Sequence, residues 1–100
     1  MNVMKTAATS ECPVTKAAKL LSDTWTMLVM HELMSGTKRF CELERALIGI
    51  STRTLTLKLK KLEEDGLVLK TDEGAYVATP KGKGLRIIEN AMRKYSERFL

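Results

Sequence analysis

Between Cys41 and Gly66 the sequence places two apolar spacings of helical period on either side of a glycine, and this bend constrains the fold more than any other feature. Leu43, Ala46 and Leu47 share one face of a helix from Cys41 to Leu47. Ile48-Gly49-Ile50 interrupts it. Ser51 then supplies an N-cap for a longer helix in which Leu55, Leu59 and Leu62 recur at i, i+4 and i+7. A helix, a short turn with glycine and a helix with one narrow apolar seam make a helix-turn-helix. Thr52, Arg53, Thr56, Leu57 and Lys60 point away from that seam. Gly66 ends the second helix.

The flanking segments complete a pattern. Leu67 to Thr71 and Ala75 to Thr79 are two strand-like runs around Asp72-Glu73-Gly74, a loop length that puts glycine in the left-handed position. Thr79-Pro80 gives an N-cap and N1 pair for a terminal helix over about residues 80–100. There Leu85, Ile88, Met92, Tyr95 and Phe99 are spaced 3, 4, 3, 4, the seam of a helix that packs on another helix. A partner copy or the chain's own domain would satisfy it. Upstream, Pro13 opens a first helix carrying Val14, Ala17, Ala18 and Leu21. Ser22 and Asp23 offer a cap for a second, from Trp25 to about Met34, with one stripe in Trp25, Leu28, Val29 and Leu33 and another in Met27, Met30 and Met34. A helix apolar nearly all round belongs at the buried centre. Its methionines are read as core ahead of a pliable ligand pocket, His31 as exposed, and Trp25 as packing the first helix on the second. Lys38, Arg39 and Phe40 supply a very short extended segment before the third helix, and residues 1–11 read as a flexible polar arm.

One hundred residues make one small domain, here 12–100, and no run approaches the roughly 18 apolar residues of a membrane span. The first ten residues do not read as a secretory signal, so the expected compartment is the cytoplasm. Cys12 and Cys41 are too few and too far apart for a disulfide framework, a CxxC pair or a multi-cysteine metal site. No P-loop, GxSxG, HExxH or paired acid and base occurs, and Glu63 to Asp65 is a helix end rather than a metal cage. An enzyme, a cofactor and a metal are therefore not expected. Seventeen basic against twelve acidic side chains leave a net charge of +5, which favours a polyanionic partner, nucleic acid first.

Helix-turn-helix, β-hairpin, helix is the order of a winged helix, so the expected class is mainly helical α+β: a winged helix-turn-helix with added N- and C-terminal dimerisation helices. Such a fold places the segment from Ser51 in the major groove of double-stranded DNA. Arg53 suits a bidentate contact to guanine, Thr52 and Thr56 base edges or phosphates, and Leu57 a thymine methyl. Lys58, Lys60 and Lys61 suit phosphates, where charge acts without reading sequence. Exposed Leu57 also fits the alternative, a winged helix that contacts only protein.

From Cys12 onward the sequence resembles the HxlR-type winged helix transcriptional regulators. The likeness is carried by Cys12-Pro13-Val14, Trp25-Thr26, Arg39-Phe40 before Glu42-Leu43, Ile50-Ser51, Leu55, Leu59, the run from Leu62 to Val68, and Thr79-Pro80 with Gly82 nearby. It implies a homodimeric regulator, a repressor on a palindromic operator, whose first and last helices form the interface through Val14, Leu21, Leu85, Ile88, Met92, Tyr95 and Phe99. The hairpin departs from the family in being short and acid-tipped, which leaves Lys70 at its base, with Lys81 and Lys83 beyond, as further phosphate contacts. Cys41 departs too, standing where members more often have Ser, Asn or Gly. Both cysteines fall at expected helix N-termini, where unpaired amides favour the thiolate. Some members sense oxidants or electrophiles through the cysteine of the CPV motif, so the resemblance makes Cys12 a candidate thiol sensor, with Cys41 second.

Overall fold

A computed structural model describes residues 12–100; the arm expected over residues 1–11 lies outside the described residues. Helix α1 (Pro13–Leu20) has proline in its first turn and buries no residue fully. Helix α2 (Thr24–Met34) begins where the Asp23 carboxylate accepts the Thr26 N–H at 2.9 Å. Its Val29, Met30 and Leu33 are fully buried. Leu28, expected in the same stripe, is exposed, and Trp25, Met27 and Met34 are only partly covered, so the central helix is buried on one side.

The short segment β1 (Lys38–Arg39) leads into α3 (Phe40–Ala46). A turn through Gly49, at φ 94°, then delivers the chain to α4 (Thr52–Glu64). Helix α4 ends in a Schellman motif: Leu67 N–H donates to the Leu62 carbonyl at 2.9 Å and Gly66 N–H to that of Glu63 at 3.0 Å. Gly66 supplies the required left-handed backbone at φ 76°. Strands β2 (Val68–Lys70) and β3 (Ala75–Ala78) form the hairpin, with Gly74 at φ 83°. The sheet order is β1-β3-β2, all antiparallel, with Arg39 opposite Ala75 and Leu69 opposite Val77. The core gathers α2 and the inner faces of α3, α4 and the sheet, with Leu43, Leu55, Leu59, Leu62, Leu67 and Val68 almost wholly enclosed.

The expected single terminal helix is two. Thr79 caps α5 (Pro80–Lys83) by accepting the Gly82 N–H at 3.0 Å. Gly82 presses on the hairpin so closely that a Cβ there would lie 2.2 Å from the Leu67 carbonyl oxygen. That contact fixes α5 against the wing, and the chain must turn through Gly84 and Leu85 before α6 (Arg86–Phe99) can leave in its own direction. The shift moves Leu85 off the expected seam. It is 6% exposed and belongs to the protomer's own core. Helix α6 buries none of its own residues fully, and the molecule measures 48 × 33 × 25 Å.

Candidate nucleic-acid interface

Helix α4 is held by its apolar side, and that fixes what the other side presents. Leu55, Leu59 and Leu62 are at most 2% exposed. At about 100° per residue, Arg53, Leu57 and Lys60 centre opposite those leucines, with Thr56 and Lys61 to either side. All five are exposed, Leu57 among them despite its apolar side chain. The Arg53 and Lys60 side chains have no hydrogen-bond or ion-pair partner among the described residues.

The hydroxyls near the start of α4 are partly engaged. Ser51 accepts the Thr54 N–H at 3.0 Å as the N-cap, Thr52 donates to Glu44 on α3, and Thr56 donates to the Thr52 carbonyl at 2.8 Å. An Ser51 hydroxyl used as a cap stabilises the helix by about 1 kcal/mol and orients its first turn. Each hydroxyl oxygen keeps a lone pair for a further contact.

Six lysines expected at phosphate divide by what they already touch. Lys58 is partly buried with its ammonium on Asp23. Lys61 pairs with Asp65 one turn on, at 3.2 Å. Lys81 donates to the Asp65 carbonyl at 2.7 Å, satisfying one of the orphan acceptors at the end of α4. Lys70 stands 5.7 Å from the centre of the Tyr76 ring. Lys60 and Lys83 are exposed without such a side-chain partner among the described residues.

The wing receives a cation that sequence reasoning did not assign to the site. Pairing of β1 with β3 carries Arg39 to the hairpin loop, where Nη1 lies 3.5 Å from the Glu73 carbonyl oxygen. No local pattern signals this, because the two residues are 34 positions apart. Arg39 also opens α3, its N–H donating to the Glu42 carboxylate at 2.7 Å. Cys41 is therefore the second residue of α3 rather than its cap, and it is exposed. Cys12 is the residue preceding α1 and is exposed as well. The backbone N–H groups of Thr15 and then Val14 face its sulfur and hold the thiol below its ordinary range, although neither closes a capping hydrogen bond.

Away from α4, the seam on α6 lies open. Met92, Tyr95 and Phe99 are 51%, 59% and 64% exposed, with the Tyr95 and Phe99 ring centres 5.0 Å apart. Ile88 and Leu21 are partly buried against the core, and Val14 on α1 is exposed. An open groove of about 780 Å³ runs between α2 and α6, with Met27, Leu28 and Met92 among its apolar walls. His31 is exposed, as expected, and bridges the helices through Glu89. Among the described residues no cluster suits a metal ion, and no helix is long and apolar enough to cross a membrane.

The family profile described as HxlR-like helix-turn-helix matches residues 20–100. The chain belongs to that family. The HTH-type transcriptional regulator YvaP of Bacillus subtilis is 36% identical over 97 residues, covering 89% of this chain and 89% of that protein. Among solved structures, quinone-bound YodB from B. subtilis superposes with a TM-score of 0.82 at 34% identity, covering 88% of this chain and all of that one. The redox regulator HypR in its reduced form superposes at 0.76 and 29% identity, covering 87% and 92%. This HxlR-like protein is thus a winged helix transcriptional regulator of the helix-turn-helix type, a DNA-binding class and not an enzyme. Between a winged helix that binds DNA and one that contacts only protein, family membership favours the first.

Proposed function

We propose that this HxlR-like protein acts in the cytoplasm as a homodimeric, sequence-specific repressor on a palindromic operator, and that modification of Cys12 releases it. The observation that carries the reading is the division of α4, with three leucines enclosed and Arg53, Thr56, Leu57 and Lys60 turned outward. A helix so presented fits a major groove, and Arg53 reads guanine through O6 and N7. Ser51 and Thr52 open the helix beside the backbone, while Lys60, Lys61 and Lys83 meet phosphates. Lys70 and Arg39 supply the wing's positive charge beside its acidic tip, and Lys81 braces the end of α4.

Dimerisation is supported by apolar surface that one protomer leaves open. Val14 of α1, Leu21 just after it, and Ile88, Met92, Tyr95 and Phe99 of α6 form the interface; Leu85 supports it from the core. A two-fold pair of reading helices requires half-sites about 10 base pairs apart or a multiple of that. The thiol reading is supported by the exposure and lowered pKa of Cys12 and by the structures of YodB with a quinone and HypR in reduced and oxidised forms. Cys41 is exposed and is the second thiol to test.

Selection of duplexes from a random DNA pool at fixed salt, repeated after mild thiol oxidation, tests the whole reading. A palindromic winner is expected, lost on oxidation and retained when Cys12→Ser replaces the wild type. An enriched sequence without two-fold symmetry would remove the dimer, and an unchanged oxidant response in Cys12→Ser would remove Cys12.

A further inference from the structure

Lys58 lies on the flank of α4, between its enclosed leucines and its open face, and meets a carboxylate 35 residues earlier in the chain. That carboxylate, Asp23, already has a task. Its Oδ1 accepts the Thr26 N–H at 2.9 Å and the Thr26 hydroxyl at 3.1 Å, starting α2, while its Oδ2 takes the Lys58 ammonium. One side chain therefore caps the central helix and ties it to the middle of the reading helix. The Lys61–Asp65 pair differs, since Lys61 is exposed and the pair spans only the last turn of α4.

We propose that Asp23 is a specificity-determining positioning residue: it holds Lys58 against the body of the domain and withholds that cation from the DNA backbone. The proposal rests on the reading that α4 meets DNA. A lysine free to reach a phosphate adds the same affinity on every sequence, and so adds to the non-specific competition that a regulator faces across a genome. A lysine already paired with a carboxylate forms a pair of no net charge, which releases few counterions from the duplex. Lys58 then contributes orientation to α4 and almost nothing to the salt dependence of binding.

Asparagine can cap α2 as aspartate does, so Asp23→Asn removes the charge and keeps the helix start. The probe is a duplex of about 30 base pairs of mixed sequence, titrated by anisotropy between about 50 and 200 mM salt, where each neutralised phosphate adds about 0.9 to the slope of log affinity against log salt. Lys58→Met is expected to leave the wild-type slope unchanged. Asp23→Asn steepens it by about 0.9 and tightens binding several-fold at low salt, and Asp23→Asn with Lys58→Met returns it to the wild-type value. The proposal is overturned if Lys58→Met alone flattens the slope by about 0.9, if Asp23→Asn leaves it unchanged, or if the double variant stays steep. Lys60→Ala separates the two readings, since a slope it fails to flatten counts against α4 on DNA, whereas the Asp23 and Lys58 variants judge the tether.

Discussion

Helices α4 and α6 carry the same apolar spacing and meet opposite fates. Leu55, Leu59 and Leu62 on α4 are enclosed by α2, α3 and the sheet. Met92, Tyr95 and Phe99 on α6 remain open. Spacing of 3 and 4 says that a face will be covered, and is silent on whether the cover comes from the same chain. The difference arises at α5. Gly82 locks against the Leu67 carbonyl, the chain turns at Gly84, and α6 departs from the body with Leu85 buried and Ile88 partly covered at its base. Helix α4 is thus fixed by the protomer, whereas α6 keeps its seam exposed, the surface that the proposed dimer would cover.

The sharpest way to break this contrast is to disrupt each seam in turn. Met92→Asp buries an unpaired carboxylate in the proposed dimer, a change worth about 3 to 5 kcal/mol. It should give folded monomers in sedimentation, with an unfolding midpoint that no longer depends on protein concentration; a persisting dimer would move the interface elsewhere. Leu59→Ala attacks the other seam. A loss of about 3 kcal/mol is expected in denaturant unfolding, because the enclosed site cannot collapse around the void. A loss below about 1 kcal/mol would mean that α4 is not anchored as described.

Smaller effects sharpen the functional side of α4. Arg53→Ala should cost about 1 to 3 kcal/mol on the selected operator and much less on mixed-sequence DNA. Equal losses on both would make Arg53 a phosphate contact. The smallest effect is the pH dependence of Asp23, whose carboxyl is held below its ordinary 3.8 first by Lys58 and then by the Thr26 N–H. A depressed folded-state value means that the pair's stabilisation is complete above the unfolded pKa and is lost as pH falls through the lowered one. For a partly exposed pair this is below about 1 kcal/mol. Acid titration of stability should therefore show a slightly shallower loss below about pH 4 in Asp23→Asn than in wild type, and identical curves would remove the coupling.

Local chemistry alone placed most elements of this fold. Asp23, Ser51 and Thr79 cap helices where short polar side chains precede apolar periodicity, and Gly66 and Gly74 take the left-handed backbone that their turns need. Such signals act within a few residues, so a sequence displays them. The exposed face of α4 was legible for the same reason, since three leucines at helical spacing leave Arg53 and Thr56 on the other side. Tertiary structure alone decided the rest: the partner that neutralises Lys58, the arrival of Arg39 at the wing, the break that sends Leu85 inward, and the open seam beyond it. Each depends on segments that are distant in the chain and adjacent in space. Charge and hydropathy state what a side chain needs, but only the packing of the whole chain determines which neighbour meets that need.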